Sequence, residues 1–156
     1  MIVMTDRLTE HFKLSEFAHR DGNDLYVWID EAFLPFVNAL EDFRVWYNRP
    51  ININSGYRPE KYNIAVGGSR NSSHLRMCAV DFNLPEEFYT FTDKRKNEFL
   101  LNVRRKWSQL CTKYGYHAQC NFYDTYLHLG LSFTGRSSYL DYRTDKALKL
   151  NFKLIS

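Results

Sequence analysis

The chain has 156 residues, a length that fits one domain with enough interior to bury a core. Apolar residues make up 44% and charged residues 25%, close to the soluble globular average, which excludes collagen-like, low-complexity and disordered classes. The formal charge is only +3, less than a dedicated nucleic-acid binder usually carries and equally suited to an anionic surface, so charge alone decides nothing.

In chain order, the run His11-Phe12-Lys13-Leu14-Ser15-Glu16-Phe17 predicts a short helical turn with Ser15 as its cap. Asp21-Gly22-Asn23-Asp24 reads as a loop. Ala32, Phe33, Phe36, Val37, Leu40, Phe43 and Tyr47 recur at helical spacing, which predicts a helix over 30–47 that Arg49-Pro50 ends. Ile51 and Ile53 alternate with Asn52 and Asn54, the pattern of a half-buried strand. Residues 55–73 are rich in Gly, Asn, Ser and Arg and predict a functional loop between core elements. A strand follows at 78–82, then a helix at 94–114 with Phe99, Leu100, Val103, Trp107, Leu110 and Cys111 on one face. Strands at 116–122 and 126–133 join at a turn near Asp124, and a closing strand is expected around 148–154. Helices and strands mixed with short connections give an α+β class. Aromatic residues, 17% of the chain, anchor such a core or line a groove.

The three cysteines, Cys78, Cys111 and Cys120, are odd in number and irregularly spaced, so they form no disulfide framework. A leftover thiol favours a reducing compartment for synthesis. The N-terminus lacks the basic-then-apolar layout of a signal peptide, and no apolar run approaches the roughly 20 residues of a membrane span. The expectation is a soluble protein made in the cytoplasm without a cleaved leader.

Two segments carry chemistry. In the first, Ser72-Ser73-His74 leads into Ala79-Val80-Asp81; in the second, His128 lies in Tyr126-Leu127-His128-Leu129-Gly130-Leu131. A histidine, an aspartate seven positions on and a later histidine in a strand form a three-ligand set. A catalytic zinc uses three such nitrogen and oxygen ligands and keeps a further position open. A lone histidine in an apolar strand is also a common core residue, and a lone aspartate at a strand end a common cap. On spacing alone both readings stand.

The run Ser55-Gly56-Tyr57-Arg58-Pro59, then Asn63 with Val66-Gly67-Gly68-Ser69, then Ser72-Ser73-His74 and Ala79-Val80-Asp81-Phe82 resembles the zinc D-Ala-D-Ala carboxypeptidase family. These are peptidoglycan-cleaving metallopeptidases of bacteria and bacteriophage lysis proteins, related in fold to the hedgehog signalling domain. The resemblance runs in family order over residues 10–132, within a single peptidase-like domain of 1–156 whose residues 133–156 form a C-terminal extension. It implies a small, mainly antiparallel sheet with helices packed on it, a Zn2+ cofactor, and His74, Asp81 and His128 as the metal ligands. It gives Arg58 the family arginine's role of holding a substrate carboxylate or carbonyl oxygen, for which a planar guanidinium is suited. Ser72 becomes a hydrogen-bonding hydroxyl beside the first ligand. The implied substrate is the peptidoglycan stem peptide or cross-link, cleaved by a carboxypeptidase or an endolysin-type endopeptidase that degrades the cell wall in lysis or entry.

Three positions depart from the family pattern. The acidic residue that activates water often stands three places before the last histidine, where this chain has Thr125. Some relatives place it two after, where this chain has Gly130. Asp124 is therefore the first candidate for the general base and Asp141 the second. Met77 replaces the usual glycine of the first motif and is expected to reshape the pocket floor. These changes motivate an alternative, a catalytically impaired zinc-binding and peptidoglycan-binding module of the same fold. Nucleic-acid binding through Lys94-Arg95-Lys96 and Arg104-Arg105-Lys106 is set aside, because such clusters at helical positions are usually a solvated face. His117 and Cys120 read as strand residues, and His11 and His19 as surface groups.

Overall fold

Among the described residues, apolar side chains spaced three and four apart wind into two long helices that share one interior. In the computed structural model, which describes residues 6–18, 30–58, 64–67, 72–145 and 149–150, helix α1 spans Phe33–Tyr47 and buries Phe33, Phe36, Val37, Leu40, Phe43 and Tyr47. It starts later than the spacing predicts because Asp30 stands outside it, accepting the Ala32 N–H on its side chain and the Phe33 N–H on its carbonyl. It ends at Asn48, whose left-handed φ of 53° caps the last turn just before Pro50. Helix α2 spans Asp93–Lys113 and buries Leu100, Val103, Trp107, Leu110 and Cys111. The Thr92 hydroxyl caps its N-terminus by accepting the Arg95 N–H, with Asp93 in the first turn and Lys113 in the last, both complementing the helix dipole.

Among the described residues, five strands form one sheet: β1 Ile53–Ser55, β2 Ala79–Asn83, β3 His117–Phe122, β4 Tyr126–Ser132 and β5 Ser138–Asp141. Their spatial order is β1-β2-β4-β3-β5, with every pairing antiparallel except that of β3 with β5. The α+β class and the mainly antiparallel sheet expected from the sequence are thus found.

Alternation along the strands separates two faces. Val80, Phe82, Ala118, Cys120, Phe122, Leu127, Leu129 and Leu131 lie in the apolar core that both helices cover. Trp107 of α2 sits edge-on to Phe36 and Phe43 of α1, with centroids 5.9 and 6.0 Å away, and Phe43 reaches Phe82 of β2 at 6.4 Å. The Trp107 indole N–H donates to the Gly130 carbonyl at 2.9 Å, tying α2 to the middle of β4. All three cysteines are buried in this interior, and burial pushes their thiols up.

Several local expectations change. The helical turn Leu14–Phe17 is capped at Lys13, whose N–H donates to the Glu16 carboxylate, while Ser15 sits inside the turn bonded to Asp6. His11 is no free surface group, since its ring and its N–H both bind Glu41 of α1. The fifth strand falls at Ser138–Asp141; the closing strand expected at 148–154 lies outside the described residues except for 149 and 150, neither of which is in a strand. The expected loop at 21–24, His19, Asn63, Gly68 and Ser69 also lie outside them.

Truncating Trp107 empties the junction of α1, α2 and β4. Trp107→Ala is expected to lower stability by about 3–5 kcal/mol, read as a lower urea midpoint with an unchanged transition slope.

Candidate metal centre

The second face of the sheet is polar, and its register sets side chains in a row. Asp81 of β2 lies opposite His128 of β4, which lies opposite Asn121 of β3. One step along, Ala79, Gly130 and Gln119 form the next row. His128 therefore stands on the central strand of the sheet with a carboxylate beside it. His117 and Cys120 of β3 differ by an odd number of places, and they lie exposed and in the core respectively.

His74 arrives from outside the sheet, on the short turn Ser73–Arg76. The Ser72 hydroxyl caps that turn by accepting the His74 N–H, and the buried Ser73 hydroxyl donates to the Leu131 carbonyl of β4. Met77 ends the turn with a left-handed φ of 59°. That backbone favours glycine, which gives a physical reason for the family's residue at this place. The Met77 side chain packs in the core and does not line the site, so it does not reshape the pocket floor as expected.

The segment after β1 is held just as closely. A Cβ on Gly56 would lie 2.7 Å from the Phe17 carbonyl oxygen and 2.8 Å from its Cα, so only glycine fits against the Leu14–Phe17 turn. The Tyr57 N–H donates to Phe17 and the Arg58 N–H to the His74 carbonyl. The His74 ring Nδ1 lies 2.7 Å from the Gly56 carbonyl, and that oxygen can only accept. Nδ1 of His74 thus carries a proton, and Nε2 is the nitrogen turned toward Asp81.

These elements converge on Asp81. His74 Nε2 stands 3.4 Å from Asp81 Oδ2, and His128 Nδ1 stands 2.8 Å from Asp81 Oδ1. The two rings are 5.0 Å apart at their centroids. Arg58 Nη2 lies 3.7 Å from Asp81 Oδ2 and 3.5 Å from the Ser55 hydroxyl. Ligand atoms of His74, Asp81 and His128 all fall within 4.8 Å of one another. Two imidazoles and one carboxylate are a donor set suited to zinc, and the closeness of the atoms fits one ion between them.

Electrostatics act on the same groups. Burial alone would raise the Asp81 carboxyl, but hydrogen bonds from His128 and His74 outweigh it and hold it well below the usual carboxylate range. Burial lowers His128 below the ordinary imidazole value, with Asp81 opposing. A ionised carboxylate and an unprotonated ring are the forms a metal requires.

The cluster forms part of the wall of a cavity of about 520 Å³. Arg58, Ser72, Asn121, Tyr123, Tyr126 and Tyr142 line it further. Tyr123 stacks between Tyr126 and Tyr142 at 4.2 and 5.1 Å, a ladder of rings along one wall. Among the described lining residues Asp81 is the sole carboxylate. Asp124 stands in the turn between β3 and β4, where its Oδ1 accepts the Thr144 N–H at 3.0 Å. Asp141 is engaged by the Arg143 side chain and the Leu150 N–H. Neither lines the cavity. Gln119 was not singled out from the sequence, yet its Oε1 lies 2.7 Å from His128 Nε2. Nothing in a strand pattern distinguishes it from any other polar residue on an open face.

A family model described as Peptidase M15 matches residues 10–119. That span holds Arg58, His74 and Asp81 and stops before His128, which the sheet register brings to them. A search of curated proteins finds no match. With the match covering well over half its length, the chain belongs to peptidase family M15, the zinc D-Ala-D-Ala carboxypeptidase family.

Proposed function

We propose that the chain is a zinc-dependent peptidase that hydrolyses peptide bonds in the stem peptide or cross-link of bacterial peptidoglycan. Its metal ligands are His74, Asp81 and His128, and the observation carrying the reading is their convergence on one point at a cavity wall. Bound zinc supplies Lewis acidity toward a scissile carbonyl and acidifies water. Arg58, always charged and planar, holds the carboxylate or carbonyl oxygen of the substrate and offsets negative charge that develops there. Ser72 offers a hydroxyl beside His74, and the tyrosine ladder shields one side of the cavity. The reading extends to cell-wall degradation of the bacteriophage endolysin type. Whether free D-Ala or a cleaved cross-link accumulates decides between carboxypeptidase and endopeptidase action.

A second reading, a peptidoglycan-binding module with impaired hydrolysis, is favoured by one observation. Asp81, itself a ligand, is the sole carboxylate among the described residues lining the cavity. Asp124 remains the proposed base on the strength of its place next to the departing position Thr125, and this assignment is open to direct test.

Three outcomes are expected. Purified protein supplied with zinc binds about one ion per chain and releases new amines from peptidoglycan, and His74→Ala loses both; equal zinc in the two proteins would refute the ligand set. If zinc binds yet no amine appears, sedimentation with intact sacculi distinguishes the binding module. Asp124→Asn should lower kcat by about 100-fold or more if Asp124 moves protons, and leave it unchanged if it only holds Thr144.

Protonation competes with the metal for the same sites. His128 and Asp81 both bind protons less readily folded than unfolded, so the unfolded chain takes up more protons and stability rises with pH. The Asp81 contribution is complete above the unfolded carboxylate value of about 3.9 and is lost as pH falls through its lower folded value. The His128 contribution builds as pH rises toward the unfolded imidazole value of about 6.5 and levels off above it. Urea midpoints of chelator-treated protein should therefore climb up to about pH 6.5 and flatten beyond. His128→Gln should weaken the upper part of that climb.

A further inference from the structure

We infer that Gln119 positions His128 for the metal, holding the ring by its outer nitrogen, Nε2, so that Nδ1 faces Asp81, and that position 130 is glycine to leave room for this amide. The inference rests on the metal-centre reading above for its purpose, but its geometry stands apart from catalysis. A neutral imidazole has one N–H and one lone pair. His128 faces an oxygen at each nitrogen, Asp81 Oδ1 at 2.8 Å from Nδ1 and Gln119 Oε1 at 2.7 Å from Nε2. Without a metal the anionic Asp81 is the stronger acceptor for the ring N–H. A metal held between Nδ1 and Asp81 would need the Nδ1 lone pair, which leaves the N–H on Nε2 and makes Gln119 Oε1 its acceptor.

His74 repeats the arrangement. Its Nδ1 is held by the Gly56 carbonyl and its Nε2 faces Asp81 Oδ2 at 3.4 Å. Each ring is tied at its outer nitrogen to an amide-type oxygen, and each offers its inner nitrogen to the same carboxylate. Outer partners of this kind set ring orientation and tautomer in metal sites. The partner of His74 is main chain, fixed by the fold, whereas that of His128 is a side chain and open to substitution.

Gly130 explains why the amide sits where it does. Gln119 and Gly130 are directly paired across β3 and β4. A Cβ at position 130 would lie 3.2 Å from Gln119 Oε1 and 3.0 Å from both Ala79 Cβ and the Cys78 carbonyl oxygen. The strand neighbours on the Ala79 side are packed main chain and a methyl, so a side chain at 130 would push against the Gln119 amide. The residue two places beyond the last histidine and the residue across from it therefore work as a pair.

The test uses Gln119→Met, which keeps length and removes the acceptor, Gln119→Glu, which keeps an acceptor, and Gly130→Ala. Zinc affinity is read by chelator competition, and the His128 Nε2–H by proton NMR of the zinc-loaded protein. Wild type should show this proton slow to exchange with water. Gln119→Met should weaken zinc binding by about 10–100-fold and speed that exchange. Gln119→Glu should stay within about threefold of wild type, and Gly130→Ala should shift both readouts in the direction of Gln119→Met. A Gln119→Met protein with wild-type affinity and wild-type exchange overturns the inference while leaving the metal centre intact. If wild type binds no zinc, the metal reading fails and the inference with it. Should Gln119→Met not fold, Gly130→Ala compared with Gln119→Glu gives the same decision.

Discussion

Asp81 is an ionised carboxylate set on a largely buried part of the sheet, and a charge there is tolerated only with close partners. Two imidazoles and a guanidinium gather around it, drawn from three separate parts of the chain. Much of the fold can be understood as the means of bringing them together. The central place of β4 puts His128 beside Asp81 through an ordinary ladder register. The capped turn Ser73–Arg76 delivers His74, and the segment after β1 delivers Arg58. Since removing one member of a buried charged group leaves the others unsatisfied, these parts depend on one another.

The two kinds of scaffold differ in character. Asp81, Gln119 and His128 stand on three adjacent strands whose opposite face is closed by α1 and α2. Arg58, Ser72 and His74 stand on irregular segments braced by Gly56 against the N-terminal turn. That turn is in turn fastened to α1 through His11 and Glu41. A residue distant in sequence from the chemistry, Phe17, thus helps to define where Arg58 lies.

The helices and the two faces of the sheet were legible because burial imposes a period on sequence. Leu127, Leu129 and Leu131 mark the core face of β4, and the same alternation sets His128 on the other face. The glycine of Ser55-Gly56-Tyr57-Arg58 and the region around Met77 follow a family pattern whose physical reasons, a close approach and a left-handed backbone, appear only in three dimensions. Strand β5 escaped because Ser138–Asp141 is a short edge pairing in parallel with β3, with little alternation to announce it. Asp124 is a candidate by sequence position alone, one place from where the family pattern puts its acid, and its carboxylate accepts the Thr144 N–H. Gln119 carried no signal at all, because its significance lies in which ring it touches.

The buried cysteines change what the odd thiol count means. Oxidation of a thiol requires access and the thiolate form, and Cys78, Cys111 and Cys120 have neither, being enclosed in the core with burial opposing ionisation. An unpaired cysteine of this sort is shielded by packing, whatever the redox potential outside. The folded protein can therefore pass from a reducing to an oxidising medium without forming mixed disulfides, and its cysteine number ceases to be a mark of address.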